Sequence, residues 1–381
     1  MKNESVDVEH RPLGRVGGAL FCFLIFITSF YGAIFLLGPC FALIYIWPWL
    51  YRRVVDRIVA FWLIFPIALL EKVFRVQFFV KGDGFNYMER TVIILNHRTR
   101  VDWMLFWPCL FHCARLRKLK IVLKSDLKYI PGPGWAMQAA GFIFLDRKWE
   151  RDRPHVEDLL HYFNDPDINE PLILLMFPEG TDLTENTKSR SDKFADKQGL
   201  PKYDYVLHPR TTGFTHLVKQ LTEANAIDSI HDITVGYPAG LIRDENDLID
   251  GKMPKEVHFS ITRHPVDTLP TSDQDQMSTW LNEKWRLKEE KLKKFYTVDR
   301  KFNDTRQPYW DKRTISIWIA LVFWPSFTVV CSYGLIVSHM LKWYGLGSIV
   351  FYIFALRANG GVEKLEMAVF QALHHKNPKE D

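Results

Sequence analysis

The chain has 381 residues, 48% of them hydrophobic and 14% aromatic, enough to bury a sizeable core and unlike a disordered or low-complexity chain. Its 49 basic and 44 acidic residues leave a net charge of +5, a mild excess that suits anionic lipid head groups or phosphorylated substrates. The bases are interspersed with acids and no nucleic-acid-binding motif is present, so nucleic acid is not expected as a partner; the five cysteines, with Cys22, Cys40 and Cys331 inside apolar runs, form no disulfide framework.

From Val16 to Tyr51 there is no charged residue. As one helix this stretch would be roughly 54 Å long, against a hydrocarbon core of roughly 30 Å. A break is therefore expected at Gly38-Pro39, leaving one span over 16–38 and a shorter aromatic piece whose Trp47, Trp49 and Tyr51 suit the interface. A cleaved signal peptide is excluded by length, since its apolar region is roughly 7 to 15 residues. Residues 58–70 form a second apolar run, too short to cross alone. Basic residues lie on both sides of the runs, so charge does not fix the orientation.

Residues 71–312 alternate strand-like and helix-like segments, the pattern of an α/β domain with a largely parallel sheet. Strands are expected at 76–81, 91–95, 120–123, 142–145, 172–177 and 231–237. The second of these runs into Leu95-Asn-His-Arg-Thr-Arg-Val-Asp-Trp103. His97 follows a strand's end, where α/β folds place ligands. On an ideal helix, residues five apart point about 140° apart, so His97 and Asp102 meet only if His97 lies in the turn before a helix that begins near Asp102. Asp102 then fixes one ring nitrogen and leaves the other to remove a proton. The alternative is a helix-capping Asp102 and a loop histidine with ordinary partners, and spacing alone leaves both open.

Cys109, His112 and Cys113 lack a fourth ligand at a sensible spacing, so no metal is expected there. Arg115, Arg117, Lys118, Lys120 and Lys124 make a basic stretch that suits anionic phosphates, though most of it is expected to be a solvated face. Gly141, Phe144 and Arg147 place a guanidinium, suited to forked phosphate recognition, after a strand. Phe177-Pro178-Glu179-Gly180-Thr181 closes an apolar strand with a tight turn, expected to expose Glu179, with the Gly180 and Thr181 amides toward an anion. Residues 182–199 are polar and read as a loop. Phe214, Leu217, Val218 and Leu221 share one helix face begun by Thr211-Thr212; Ile233 to Pro238 is a strand closed by proline; a charged amphipathic helix follows over 277–295.

Residues 314–341 are again uncharged and long enough to span, whereas 343–356 is short and suggests a tilted or re-entrant hairpin. The expected organisation is membrane-embedded segments over 1–70, the α/β domain with its charged helix over 71–312, a membrane hairpin over 313–357 and a tail over 358–381.

In this order, Asn96-His97 with Asp102, Gly141 with Phe144 and Arg147, Phe177-Pro178-Glu179-Gly180, and an apolar strand ending at Pro238 resemble the four blocks of the lysophospholipid acyltransferase family over roughly residues 75–265. The longer stretches NHRTRVDWM, GWAMQAAGFIFLDRKW, FPEGTDLTENTKSRS and VLHPRTTGF look like its lysocardiolipin acyltransferase branch. The fourth block is looser and carries no catalytic role here. The resemblance implies a mixed, largely parallel sheet flanked by membrane-embedded helices, and acyl transfer from acyl-CoA, as co-substrate and without a cofactor, to the hydroxyl of a lysophospholipid. It implies His97 and Asp102 as the catalytic pair, with Arg147, Glu179, Gly180 and Thr181 around the acceptor. The thiolate of CoA is a good leaving group, so no acyl-enzyme is required, and consistently the chain contains no Gly-x-Ser-x-Gly elbow. An endoplasmic reticulum membrane location with the catalytic domain facing the cytosol follows from the family and from acyl-CoA supply. A membrane-anchored lipid-binding scaffold without turnover, or a thioester or phospholipid hydrolase using the same base on water, remain alternatives.

Overall fold

A computed structural model describes residues 11–146, 148–165, 172–239 and 241–376. Its strands are β1 (Gln77–Gly82), β2 (Thr91–Leu95), β3 (Leu119–Lys124), β4 (Ile143–Leu145), β5 (Ile173–Met176), β6 (Ser229–Gly236) and β7 (Glu256–Pro265). The chain divides into two units. One comprises the segment ending at Cys22, Leu69–Leu119 and Pro171–Arg313; the other comprises Phe23–Ala68, Lys120–Glu170 and the chain from Thr314 onward.

In the first unit, β2 and β5 read TVIIL and ILLM, continuous apolar runs with every residue buried, as in strands covered on both faces. β2 pairs in parallel with β5, Ile94 opposite Met176, and with β6, Leu95 opposite Ile233. β6 pairs antiparallel with β7, and β7 in parallel with β1, so the order is β1-β7-β6-β2-β5 and the sheet is mixed but largely parallel. β7 has no counterpart among the strands expected from sequence. Its polar His258 and Ser260 interrupt the apolar run, yet both are buried, held by Glu256 and Asp304.

Two helices cover this sheet's core residues. Thr211–Glu223 buries Phe214, Leu217, Val218 and Leu221, the expected face; Gln274–Lys294 buries Met277, Leu281, Trp285, Lys288 and Leu292. The segment 182–199 is not a loop: Glu185–Gln198 is helical, opened by a Thr184–Thr187 capping box and closed by Gly199 at φ +65°. Ala195 is its one buried residue, so no apolar stripe advertised it.

The second unit has a core of Ile34, Leu37, Phe41, Ile44, Tyr51, Val55, Trp135 and Tyr352, with the Trp135 and Tyr352 rings stacked at 4.6 Å. β3 and β4 pair in parallel, Leu123 opposite Phe144. Three helical stretches are long and apolar enough to cross a membrane among the described residues: Gly14–Ile46, Thr314–Val337 and His339–Asn359. The break expected at Gly38-Pro39 is instead a change of pitch, through π-helix Ala33–Leu37 and 3-10 helix Gly38–Phe41. Proline is tolerated there because a first helical turn needs no donor from it. The short hairpin arm expected over 343–356 is a full helix of 21 residues, started by Ser338, whose hydroxyl accepts the Leu341 amide at 3.3 Å. Residues read as a tail contain helix Val362–Lys376.

The same unit holds a buried charge cluster. Lys120 Nζ meets Asp56 at 2.8 Å and donates to the Ala140 carbonyl at 2.6 Å, Arg52 pairs Glu366 at 3.4 Å, and Tyr162 donates to Glu366 at 2.5 Å. Lys120 is thus an interior residue rather than part of a solvated face, and its burial holds its pKa down at about 8.

Candidate active site

The register of the parallel strands sets the site. Because Ile94 faces Met176, β2 and β5 end within one residue of each other, and the next residues of each, Asn96-His97 and Phe177 to Glu179, emerge at the same carboxyl edge. Asn96 is wholly buried and seals that edge: its side chain accepts the Val235 amide at 2.8 Å and donates to the Val235 carbonyl at 3.2 Å.

His97 sits in the turn before helix Asp102–Cys113, and Asp102 is that helix's first residue. Asp102 Oδ2 accepts from His97 Nδ1 at 2.9 Å and from the Thr99 amide at 2.9 Å. Asp102 Oδ1 accepts from the Tyr237 hydroxyl. Asp102 is fully buried whereas the His97 side chain keeps 16% exposure. The imidazole is thus anchored through Nδ1, while Nε2 makes no hydrogen bond among the described residues. The Phe177 ring packs on it, centroids 4.3 Å apart.

Glu179 does not lie exposed on its turn; it is 3% exposed. Its Oε1 accepts from the His97 amide at 3.1 Å and from Trp285 Nε1 at 3.2 Å, and its Oε2 from the Leu207 amide at 3.0 Å. With both oxygens occupied, the carboxylate ties the His97 turn to the Gln274–Lys294 helix and the 207 loop rather than reaching outward. Burial pushes its pKa up to about 7, against the pull of the Leu207 and His97 amides.

Gly180 adopts φ +74°, and its amide donates to the Phe177 carbonyl at 2.9 Å, so this amide closes the turn instead of facing an anion. Pro178 is buried and its carbonyl accepts the Arg210 amide at 2.7 Å. Thr181 Oγ1 donates to Asp182 at 3.2 Å.

Asn96, His97, Asp102, Phe177, Pro178, Glu179, Gly180 and Thr181 therefore belong to one unit. Gly141 and Phe144 belong to the other. There Gly141 is at φ +67° with Arg52 Nη1 2.8 Å from where a Cβ would stand, and Phe144 is buried on β4. Arg147 lies outside the described residues. Tyr237 and Trp285 were not singled out from sequence. Tyr237 stood within the block ending at Pro238 with no motif of its own. Trp285 lay within the charged amphipathic helix expected over 277–295, where its burial with Leu281 and Leu292 is a finding of the structure.

His112 is fully engaged, Nδ1 to the Asp311 carbonyl at 2.5 Å and Nε2 to Glu71 at 2.7 Å. Among the described residues no group of His, Cys, Asp or Glu forms a metal cluster.

Residues 77–238 match the family model described as Acyltransferase, and residues 247–324 match the one described as Acyltransferase C-terminus. The chain is 47% identical over 370 residues to lysocardiolipin acyltransferase 1 of Gallus gallus, covering 96% of this chain and 97% of that one. The chain belongs to the lysophospholipid acyltransferase family. Lysophosphatidylinositol acyltransferase 10 of Caenorhabditis elegans is 35% identical, covering 82% of this chain and 83% of its own. Among solved structures, the 1-acyl-sn-glycerophosphate acyltransferase of Thermotoga maritima is similar with a TM-score of 0.42 at 15% identity, covering 73% of this chain and 97% of that one. As a member of this family the chain is an acyltransferase, with lysophosphatidate, lysophosphatidylinositol and lysocardiolipin acyltransferases among its relatives.

Proposed function

We propose that this acyltransferase moves a fatty acyl group from acyl-CoA to the free hydroxyl of a lysophospholipid, with His97 as general base and Asp102 as its orienting partner. The observation that carries the reading is the anchored imidazole: Nδ1 is held by a buried carboxylate at 2.9 Å and Nε2 makes no hydrogen bond among the described residues. Nε2 takes the proton of the acceptor hydroxyl as its oxygen bonds to the thioester carbonyl carbon. The tetrahedral intermediate collapses with cleavage of the carbon–sulfur bond, and the imidazolium returns its proton to the departing thiolate. Asp102 faces the imidazolium while it carries charge. A thiolate is a good leaving group, so two substrates react directly and no acyl-enzyme forms.

Arg147 and Thr181 are assigned to the acceptor's polar portion on the strength of the motif. Glu179 and Gly180 act through the backbone instead, holding the His97 and Phe177 turns. The acceptor is a lysophosphatidic acid, lysophosphatidylinositol or lysocardiolipin, in keeping with what the relatives are named for. The helices long and apolar enough to cross a membrane suit an enzyme whose substrates carry acyl chains that partition into lipid. The cytosolic supply of acyl-CoA places the catalytic face toward the cytosol, in the endoplasmic reticulum membrane.

The test is acyl transfer by the full chain in detergent, with labelled oleoyl-CoA and a panel of lysophosphatidic acid, lysophosphatidylinositol and monolysocardiolipin. Acylated product that disappears in His97→Ala, with thermal melting unchanged, is the expected result. Lipid binding without product identifies a scaffold, and CoA release without acylated lipid identifies a hydrolase; either sinks the proposal.

A further inference from the structure

The turn between Asn96 and Asp102 carries two arginines, which the fold treats differently. Arg100 is exposed and its charge is matched, by Glu245 at 3.2 Å and Asp182 at 3.6 Å. Arg98, the residue beside His97, is half-buried and forms no ion pair among the described residues. Among the described residues its one hydrogen bond is long, Nη1 to the Tyr205 carbonyl at 3.5 Å, and its Nε is buried without a partner. The guanidinium instead rests against two tyrosines, 5.8 Å from the Tyr205 ring centroid and 5.0 Å from that of Tyr296. Those rings stack on each other at 5.3 Å, 10° from parallel.

This platform connects to the catalytic pair. The Tyr296 hydroxyl accepts the Tyr237 amide at 3.1 Å, and the Tyr237 hydroxyl donates to Asp102. A guanidinium stays charged and offers five donors in a planar fork. Withdrawing it partly from water with a single long hydrogen bond is unfavourable unless an anion completes its coordination. The aromatic faces fix its plane, which cuts the ordering cost of binding. Phosphate oxygens fit that fork.

We propose that Arg98 binds the phosphate of the acyl acceptor and thereby sets the acceptor hydroxyl against His97. Reach favours the acceptor over CoA. In a lysophospholipid the glycerol hydroxyl and the phosphate sit on one three-carbon unit, whereas the CoA diphosphate is separated from sulfur by the whole pantetheine arm. An arginine adjacent in sequence to the base matches the short separation. The inference rests on the acyl-transfer reading and adds to it a recognition residue inside the His97–Asp102 block.

The experiment compares wild type, Arg98→Ala and Arg98→Lys as full chains in detergent. It measures KM for oleoyl-CoA, KM for whichever of lysophosphatidic acid, lysophosphatidylinositol and monolysocardiolipin the wild type accepts, and direct binding of the same labelled lipids without donor. Arg98→Ala is expected to raise acceptor KM and Kd about tenfold to a hundredfold, the range of a charged hydrogen bond, with donor KM moved less than about threefold and Arg98→Lys intermediate. Unchanged acceptor binding in the folded variants overturns the proposal, as does a rise confined to donor KM. If Arg98→Ala does not fold, Arg98→Lys alone decides by the same criterion. If wild type makes no acylated product yet its lipid binding still weakens in the variants, the acyl-transfer reading fails while the phosphate contact stands.

Discussion

Asp102→Asn separates the charge of the carboxylate from its geometry, because the structure dictates how an asparagine amide would sit. Two donors converge on Oδ2, the His97 ring nitrogen and the Thr99 amide, each at 2.9 Å, and the second cannot reverse. Among the described residues Oδ1 faces only the Tyr237 hydroxyl, which can turn to accept. The amide oxygen therefore takes the Oδ2 place and the amide nitrogen the Oδ1 place. Every hydrogen bond survives, His97 keeps its tautomer, and folding is preserved. What disappears is the negative charge facing the imidazolium in the transition state. At an effective dielectric constant near 20, unit charges about 4 Å apart attract by about 4 kcal/mol. That converts to a fall in kcat of roughly a thousandfold. The assay is initial-rate acyl transfer, with melting temperature as the folding control, against His97→Ala and the double variant. KM is expected to stay within a fewfold, and the double variant should be no slower than His97→Ala. A loss smaller than about tenfold in a folded protein, or full additivity in the double variant, refutes the idea that Asp102 acts electrostatically through His97.

Other consequences are as specific. Tyr237→Phe leaves Asp102 Oδ1 buried without its hydroxyl donor, so it should cost about 1–3 kcal/mol of stability by thermal or denaturant unfolding, with a smaller fall in kcat than Asp102→Asn. Gly180→Ala forces a Cβ into φ +74°, 3.2 Å from the Arg210 side chain, and should destabilise by about 1–2 kcal/mol; melting equal to wild type would show that the turn relaxes. Glu179 has a folded pKa of about 7 against an ordinary 4.5, so the folded state holds a proton that the unfolded chain releases. Its contribution is complete below about pH 4.5 and is lost as pH rises through 7, by roughly 3 kcal/mol in all. Wild type should accordingly lose stability relative to Glu179→Gln between pH 5 and 8; parallel pH profiles of the two would be the contrary result.

Local patterns in the chain determined a good deal. The runs TVIIL and ILLM are strands because continuous apolar β-branched and aliphatic residues must be covered on both faces. The face formed by Phe214, Leu217, Val218 and Leu221 is buried as its spacing requires. His97 before a helix opened by Asp102 is the one arrangement in which that spacing lets them touch, and they do. Family membership was likewise legible in the ordered blocks.

The tertiary structure decided what local pattern does not encode. β7 disguises itself with polar residues whose partners, such as Asp304, come from elsewhere in the chain. Helix Glu185–Gln198 has end caps but no apolar stripe, and composition pointed to a loop. Glu179 followed from sequence as an exposed acid on a turn; parallel register between β2 and β5 brings it level with His97, and Leu207 and Trp285 close over it. Tyr237 and Arg98 gain their meaning the same way, one from a hydroxyl reaching Asp102 across 135 residues of chain, the other from a guanidinium that rests beside two stacked rings and has no ion pair among the described residues. A sequence reports which groups are present and which neighbours lie within a turn or two. Which buried polar atoms find partners depends on contacts between segments far apart in the chain, and those exist only once the sheet has set its register.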